Sequence, residues 1–321
     1  MQLMWMEAQI IMYFPYLRGR QFELIAIREL IENKCLSGKI IPIIEPVRAS
    51  STLLRTIKQC QEANQPTAFI INPHVGNFFE ELKDYDKQKE LIEVIRNSTM
   101  KACIVDKNIE KSIKNLSLFN AKVGDALFIH DRKDFITQYL TVINGQHAKY
   151  NLLPDDRDFR RNIRDNRVLL SDSFHAEERN SDYSTAAELY SLDPIYYSSD
   201  GYVGFADYSI VGNKYLEAGF APYCLVIHFV YFDENNQLMI RHFKSSSNED
   251  ATDPANKFRE ALEKLLDWAN KNKNHYKFNT YAMEQFNDLY YEGSYPGLGT
   301  IKKLSIMHHI ELINKFLTNT L

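Results

Sequence analysis

The sequence predicts an α/β fold, a (β/α)8 barrel of the TIM type with an inserted C-terminal β-hairpin and terminal helices. Three observations carry that expectation. Eight short apolar runs recur along the chain up to Gly212, and most are separated by segments with helical spacing. The runs are apolar nearly throughout rather than alternating, as parallel strands are when both of their faces are covered. The chain has 321 residues, 45% of them hydrophobic, which suits a barrel's length and core. An open doubly wound sheet is the competing architecture. It usually shows a glycine-rich first turn, and the first turn here, LRGRQF, has no GxGxxG.

The elements follow in order. Residues 10–17 (IIMYFPYL) form the first strand candidate, and FELIAIRELIEN is the first helix, with Glu23 as an acid near its start. Residues 39–46 (KIIPIIEP) precede SSTLLRTIKQCQ, a helix capped by Ser50 or Ser51. Residues 67–74 (TAFIINPH) precede a single helix over 78–97. Residues 101–108 precede IEKSIKNLSLF, and residues 125–132 precede a short helix near KDFITQYL. Residues 148–155 precede a charged helix in DDRDFRRNIRDN, and residues 167–175 and 201–212 supply the last two strands. A hairpin follows, with arms at 224–232 and 238–244 joined by DENNQ. Its insertion, residues 222–253, belongs to one barrel-like domain spanning 1–321. An amphipathic helix over 256–272 starts near Pro254, and a final helix covers 299–316.

Composition narrows the function classes. Formal net charge is −4 with 25% charged residues, so no whole-protein field favours nucleic acid. Cys35, Cys60, Cys103 and Cys224 are widely spaced with no CxxC pair, which reads as reduced thiols in a cytoplasmic protein. The N-terminal MQLMWMEAQIIMYF carries Glu7 and no basic region, which makes it a poor signal peptide and too short for a membrane span. No P-loop, HExxH, GxSxG or EF-hand pattern is present.

The candidate site lies where the apolar runs stop. Catalytic groups of such barrels come from the C-terminal ends of different strands. Arg18 and Arg20 follow the first run, and Glu45 ends the second inside IIPIIEPV, before a proline that keeps its backbone extended. Asn72 and His74 end the third, Asp106 the fourth, and His130 and Asp131 the fifth. Asp155 or Asp156 follows the sixth, Asp172 and His175 end the seventh, and Asp207 lies late in the eighth. Glu45, Asp106, Asp131 and Asp207 form a candidate ligand set for a divalent metal, Mg or Mn. Glu45, His130, Asp131, Asp172 and His175 are the candidate catalytic groups, and Arg18 and Arg20 the candidate phosphate grips. A plainer account stands beside this one. Asp106 and Asp155 or Asp156 cap helices, Glu45 pairs with Arg18, Asp207 joins a structural network, and His308 and His309 belong to a helix.

YFPYLRGRQFELIAIREL, followed by IIPIIEPV, resembles the opening of an uncharacterised bacterial protein family related to the phage "beta" proteins. FIINPHVGNF and GYVGFADYSIVG are compatible with it. The resemblance implies a barrel-like chain of bacterial or mobile-element origin, with a place in anti-phage defence beside a small nuclease-like protein. It carries no active residues. Two expectations follow. One is a defence enzyme, a metal-assisted phosphodiesterase or nucleotide-processing hydrolase. The other is a non-catalytic scaffold that docks a nuclease-like partner through the aromatic hairpin, whose rings serve equally well as a small core under the helix at 256–272.

Overall fold

Eight parallel strands close into a barrel in a computed structural model that describes residues 12–83, 85–97, 100–216 and 222–321. The wall consists of β1 (Met12–Leu17), β2 (Ile43–Ile44), β3 (Ala68–Ile70), β4 (Met100–Ile104), β5 (Leu127–Ile129), β6 (Tyr150–Leu153), β7 (Arg167–Ser171) and, after the short strand β8 (Glu188–Ser191), β9 (Gly204–Asp207). β9 closes the ring by pairing with both β1 and β7. Seven of the eight wall strands fall inside the runs read from the sequence, and β4 begins at Met100, one residue ahead of its run. The N-terminal segment with Glu7, and Ile10 and Ile11 of the first run, lie outside the described residues.

The period of two in each strand builds one core inside the barrel and two clusters outside it. Phe14, Tyr16, Ile43, Ala68, Ile70, Ala102, Ile104, Leu127, Ile129, Leu152, Val168, Leu170 and Ala206 fill the barrel. Their neighbours in sequence face the helices: Ile44, Phe69, Cys103 and Phe128 in one outer cluster, and Tyr13, Leu17, Leu153, Leu169 and Phe205 in another. This is why the runs show no alternation of polarity.

The helices around the wall are α1 (Gln21–Glu32), α2 (Ser51–Glu62), α3 (Phe78–Glu81), α4 (Tyr85–Asn97), α5 (Ile109–Asn115), α6 (Ile136–Ile143) and α7 (Arg157–Asn162). Ser50 caps α2 by accepting the Leu53 N–H at 3.2 Å, and Asp156 caps α7 by accepting the Asp158 N–H at 2.8 Å. The single helix expected over 78–97 is two elements, α3 and α4. Residues 109–119 divide similarly: α5 passes at Leu116 into a 3₁₀ turn that ends on Asn120 in the left-handed region.

The insertion is a three-stranded antiparallel sheet in the order β10 (Val226–Phe232), β11 (Leu238–Lys244), β8. The hairpin matches its expected arms. Asp233 holds the turn by accepting the N–H groups of Asn235 and Gln237 at 2.9 and 2.8 Å. Three helices follow the sheet after the short α8 (Asp193–Tyr196): α9 (Pro254–Asn272), α10 (Tyr281–Glu292) and α11 (Leu298–Thr318). The hairpin aromatics Phe229, Tyr231, Phe232 and Phe243 are buried, with Phe229 against Trp268 of α9 and Phe232 stacked on Phe316 of α11. They are core. Tyr223, the aromatic just ahead of the hairpin's first arm, is exposed. No described helix is long and apolar enough to cross a membrane, and all four cysteines are free.

Candidate functional site

Glu45 answers the question its position raises. It continues the inward face of β2 beyond Ile43 and is completely buried. One carboxylate oxygen accepts from Arg18 and from the Tyr16 hydroxyl, the latter at 2.7 Å. The other accepts the backbone N–H of His74 at 2.8 Å. A single carboxylate thus ties together the ends of β1, β2 and β3. Burial first, and then the charge of Glu45, hold the Tyr16 phenol well above its ordinary pKa, so it stays a proton donor.

Arg18 bridges the ends of β1, β2 and β9. Its guanidinium lies 5.0 Å from the Tyr16 ring centre and 5.5 Å from that of Tyr208, and its second amine donates to the Asn213 carbonyl at 2.6 Å. Asn213 N–H in turn donates to Asp172 at 3.1 Å. Local desolvation raises the Asp172 carboxyl, against that hydrogen bond and the pull of His175 and Arg18. Asp131 is exposed and adds negative potential at Tyr208. Arg18, Glu45, Asp131, Asp172 and His175 therefore lie on one rim. Arg20 stands apart, its guanidinium over the Tyr215 ring at 4.6 Å.

Two expected site residues face away from the mouth. His130 follows the inward Ile129 and so points outward. It is buried against Tyr139 and Phe159 and bonded to Asn151 at 3.1 Å, and burial lowers its pKa to about 4. It cannot serve the rim as acid or base. Asp207 follows the inward Ala206 and also points outward. It accepts from the Tyr13 hydroxyl at 2.6 Å and the Ser209 N–H at 2.8 Å, and it pairs with His309 of α11 at 3.1 Å. Asp207 and Glu45 thus belong to opposite faces of the wall, so the four carboxylates expected to share a metal do not converge. Among the described residues, no group of three or more His, Cys, Asp or Glu side chains is placed to hold one. Asp155 pairs with Arg160 and Asp156 caps α7, as polar loop residues do.

The accessible chemistry lies beside the Arg18–Glu45 pair. His74 Nε2 is 3.1 Å from Asp106 Oδ2, across the ends of β3 and β4. The other oxygen of Asp106 accepts the Asn108 N–H at 2.8 Å, which fixes the carboxylate. The loop carrying His74 is held on three sides. Glu45 takes its N–H, Asn72 exchanges two 2.8 Å hydrogen bonds with the Ile104 backbone, and Asn77 N–H donates to Val47 O at 3.0 Å. Gly76 makes the last contact possible. Its φ is +71°, and a Cβ there would lie 2.2 Å from the Val47 oxygen. His74 and Asp106 line a cleft of about 460 Å³ with Phe79, Lys111 and Ser112.

The strand ends expected to carry the site include His74 and Asp106, but the pairing of the two was not read from the sequence. Tyr16 and Tyr208 were missed altogether. Their signal was the period of two, which sets Tyr16 on the face of Phe14, and Tyr208 on that of Ala206. Comparison with family models, curated proteins and solved structures finds no match to this chain.

Proposed function

We propose that the chain is an enzyme acting on phosphate-bearing small molecules at the β3–β4 side of the barrel mouth, with His74 and Asp106 as its acid–base pair. One observation carries the reading: a histidine and an aspartate, in hydrogen-bond contact at the C-terminal ends of adjacent barrel strands, open together on a cleft. Asp106 accepts the Nε2–H of His74 and so selects the tautomer whose Nδ1 carries the lone pair, and Nδ1 has no hydrogen-bond partner among the described residues. That nitrogen takes a proton from an attacking water or hydroxyl and returns it to the leaving oxygen. Lys111 brings a positive charge to the same cleft for a phosphate. A setting in anti-phage defence rests on the resemblance of residues 13–47 and is part of the proposal.

The test is turnover of p-nitrophenyl phosphate and bis(p-nitrophenyl) phosphate, with and without Mg or Mn, by the wild-type chain, His74→Gln and Asp106→Asn. The expected result is turnover that falls by about 10² to 10⁴ in His74→Gln. Equal turnover in that variant, or none of either compound by the wild type, overturns the reading.

A further inference from the structure

The cleft has two unlike walls. Ile71, Pro73 and Phe79, from the β3–α3 side, make one of them, and Phe79 leaves 45% of its surface exposed. The α5 side makes the other with Asn108, Lys111, Ser112 and Asn115. Those four positions are spaced i, i+3, i+4, i+7, so they form one helical face. This polar face borders the open cleft, with Asn108 and Lys111 exposed, and none of its four side chains makes a hydrogen bond or ion pair with the described residues. Two amides, a hydroxyl and an ammonium therefore keep their full bonding capacity while facing an aromatic surface.

We infer that this cleft takes a nucleotide, with the base lying on Phe79, its polar edge read by the α5 amides, and the phosphate on Lys111. The inference rests on the proposed acid–base role of His74 and Asp106 for the reaction but not for the binding. Each part of such a ligand meets the group its chemistry needs. A flat heteroaromatic ring stacks on an aromatic face whatever its sequence identity. Its ring nitrogens and exocyclic groups pair with amides, which donate and accept. The phosphate, reached by Lys111 at the centre of the polar face, lies in the same cleft as His74. Asn72 does not join this face, because both ends of its amide are spent on Ile104.

The experiment is calorimetric titration of the full chain with adenosine 5′-monophosphate, uridine 5′-monophosphate, ribose 5-phosphate and adenosine. Both nucleotides are expected to bind about tenfold or more tightly than ribose 5-phosphate or adenosine. Phe79→Ala erases the preference over ribose 5-phosphate, and Lys111→Ala erases the preference over adenosine. Both side chains line an open cleft, and a melting curve matching wild type verifies that each variant folds. Absence of nucleotide binding, equal binding of ribose 5-phosphate, or preferences unchanged in the variants overturns the inference. The two readings fail separately. Nucleotide binding through Phe79, with turnover indifferent to His74→Gln, removes the acid–base role and keeps the ligand class. Turnover of p-nitrophenyl phosphate that depends on His74, without nucleotide preference, does the reverse.

Discussion

Two histidine–aspartate pairs in this chain share the same atoms and the same spacing. His74 Nε2 lies 3.1 Å from Asp106 Oδ2, and His309 Nε2 lies 3.1 Å from Asp207 Oδ2. Their surroundings differ completely. The side chains of the first pair are 41% and 22% exposed, and those of the second 0% and 6%. Asp207 also holds the Tyr13 hydroxyl and the Ser209 N–H, and Tyr190 packs edge-on against His309. Burial alone would raise the Asp207 carboxyl. Its partners, His309 first, more than offset that and hold it below the ordinary carboxylate range. The lesson is that the pairing does not decide the role. A pair sealed under α11 clamps that helix to β1 and β9, whereas a pair with free capacity at a cleft is available for chemistry.

The largest effect expected from this contrast is on stability. Asp207→Ala leaves a buried histidine and a buried phenol without their partner and is expected to cost about 3–5 kcal/mol in urea unfolding. Asp106→Ala is expected to cost within about 1 kcal/mol, as partly exposed pairs do. Equal losses at the two sites break the comparison. Next comes the loop that carries His74. Gly76→Ala forces a side chain into the left-handed region and against Val47 O, a strain of roughly 1–3 kcal/mol. It is expected to lower turnover through His74 while leaving the Tyr13–Asp207–His309 network intact, which histidine NMR resonances of His309 report.

Acid extends the comparison to the other buried histidines. Burial lowers His130 and His242 to about 4 and His308 to about 3. Their unfolded value is about 6.5. The folded state therefore prefers them neutral, so the stability they contribute is complete above about pH 6.5 and is lost as pH falls toward 4. Each can add up to about 1.4 kcal/mol per pH unit to the decline within that window. Urea midpoints at pH 7.5, 6 and 5 measure it, and a flat profile removes the buried-neutral description. His242 sits in a cross-strand pair, its Nδ1 2.8 Å from that of His228, so replacing both by phenylalanine should flatten part of the slope. The smallest expected effect is a control. Ser50→Ala removes the cap of α2 at about 1 kcal/mol and leaves both pairs untouched.

The readable parts of the fold have a common physical cause. A parallel barrel strand must be apolar on both faces, so it stands out as a run between polar loops, even when only Ile43 and Ile44 are paired as β2. The long hairpin, with Asp233 at its turn, was equally visible. β8 was missed because it is a short edge strand of ELYS, partly exposed, whose pairing with β11 spans a long stretch of chain. α10 was missed although its signals are present: Thr280 accepts the Met283 N–H, and Gly293 ends the helix in the left-handed region.

By itself, the sequence determined that eight apolar runs end in polar groups, and hence where the rim of the barrel lies. Only the tertiary structure decided which of those groups face it. In Ile129–His130–Asp131 and Ala206–Asp207–Tyr208 the strand alternates, so one neighbour reaches the mouth and the other the helices. A run that is apolar on both sides conceals that parity. Closure of the ring sets it, and with it the difference between an aspartate that locks α11 in place and an aspartate that opens on a cleft.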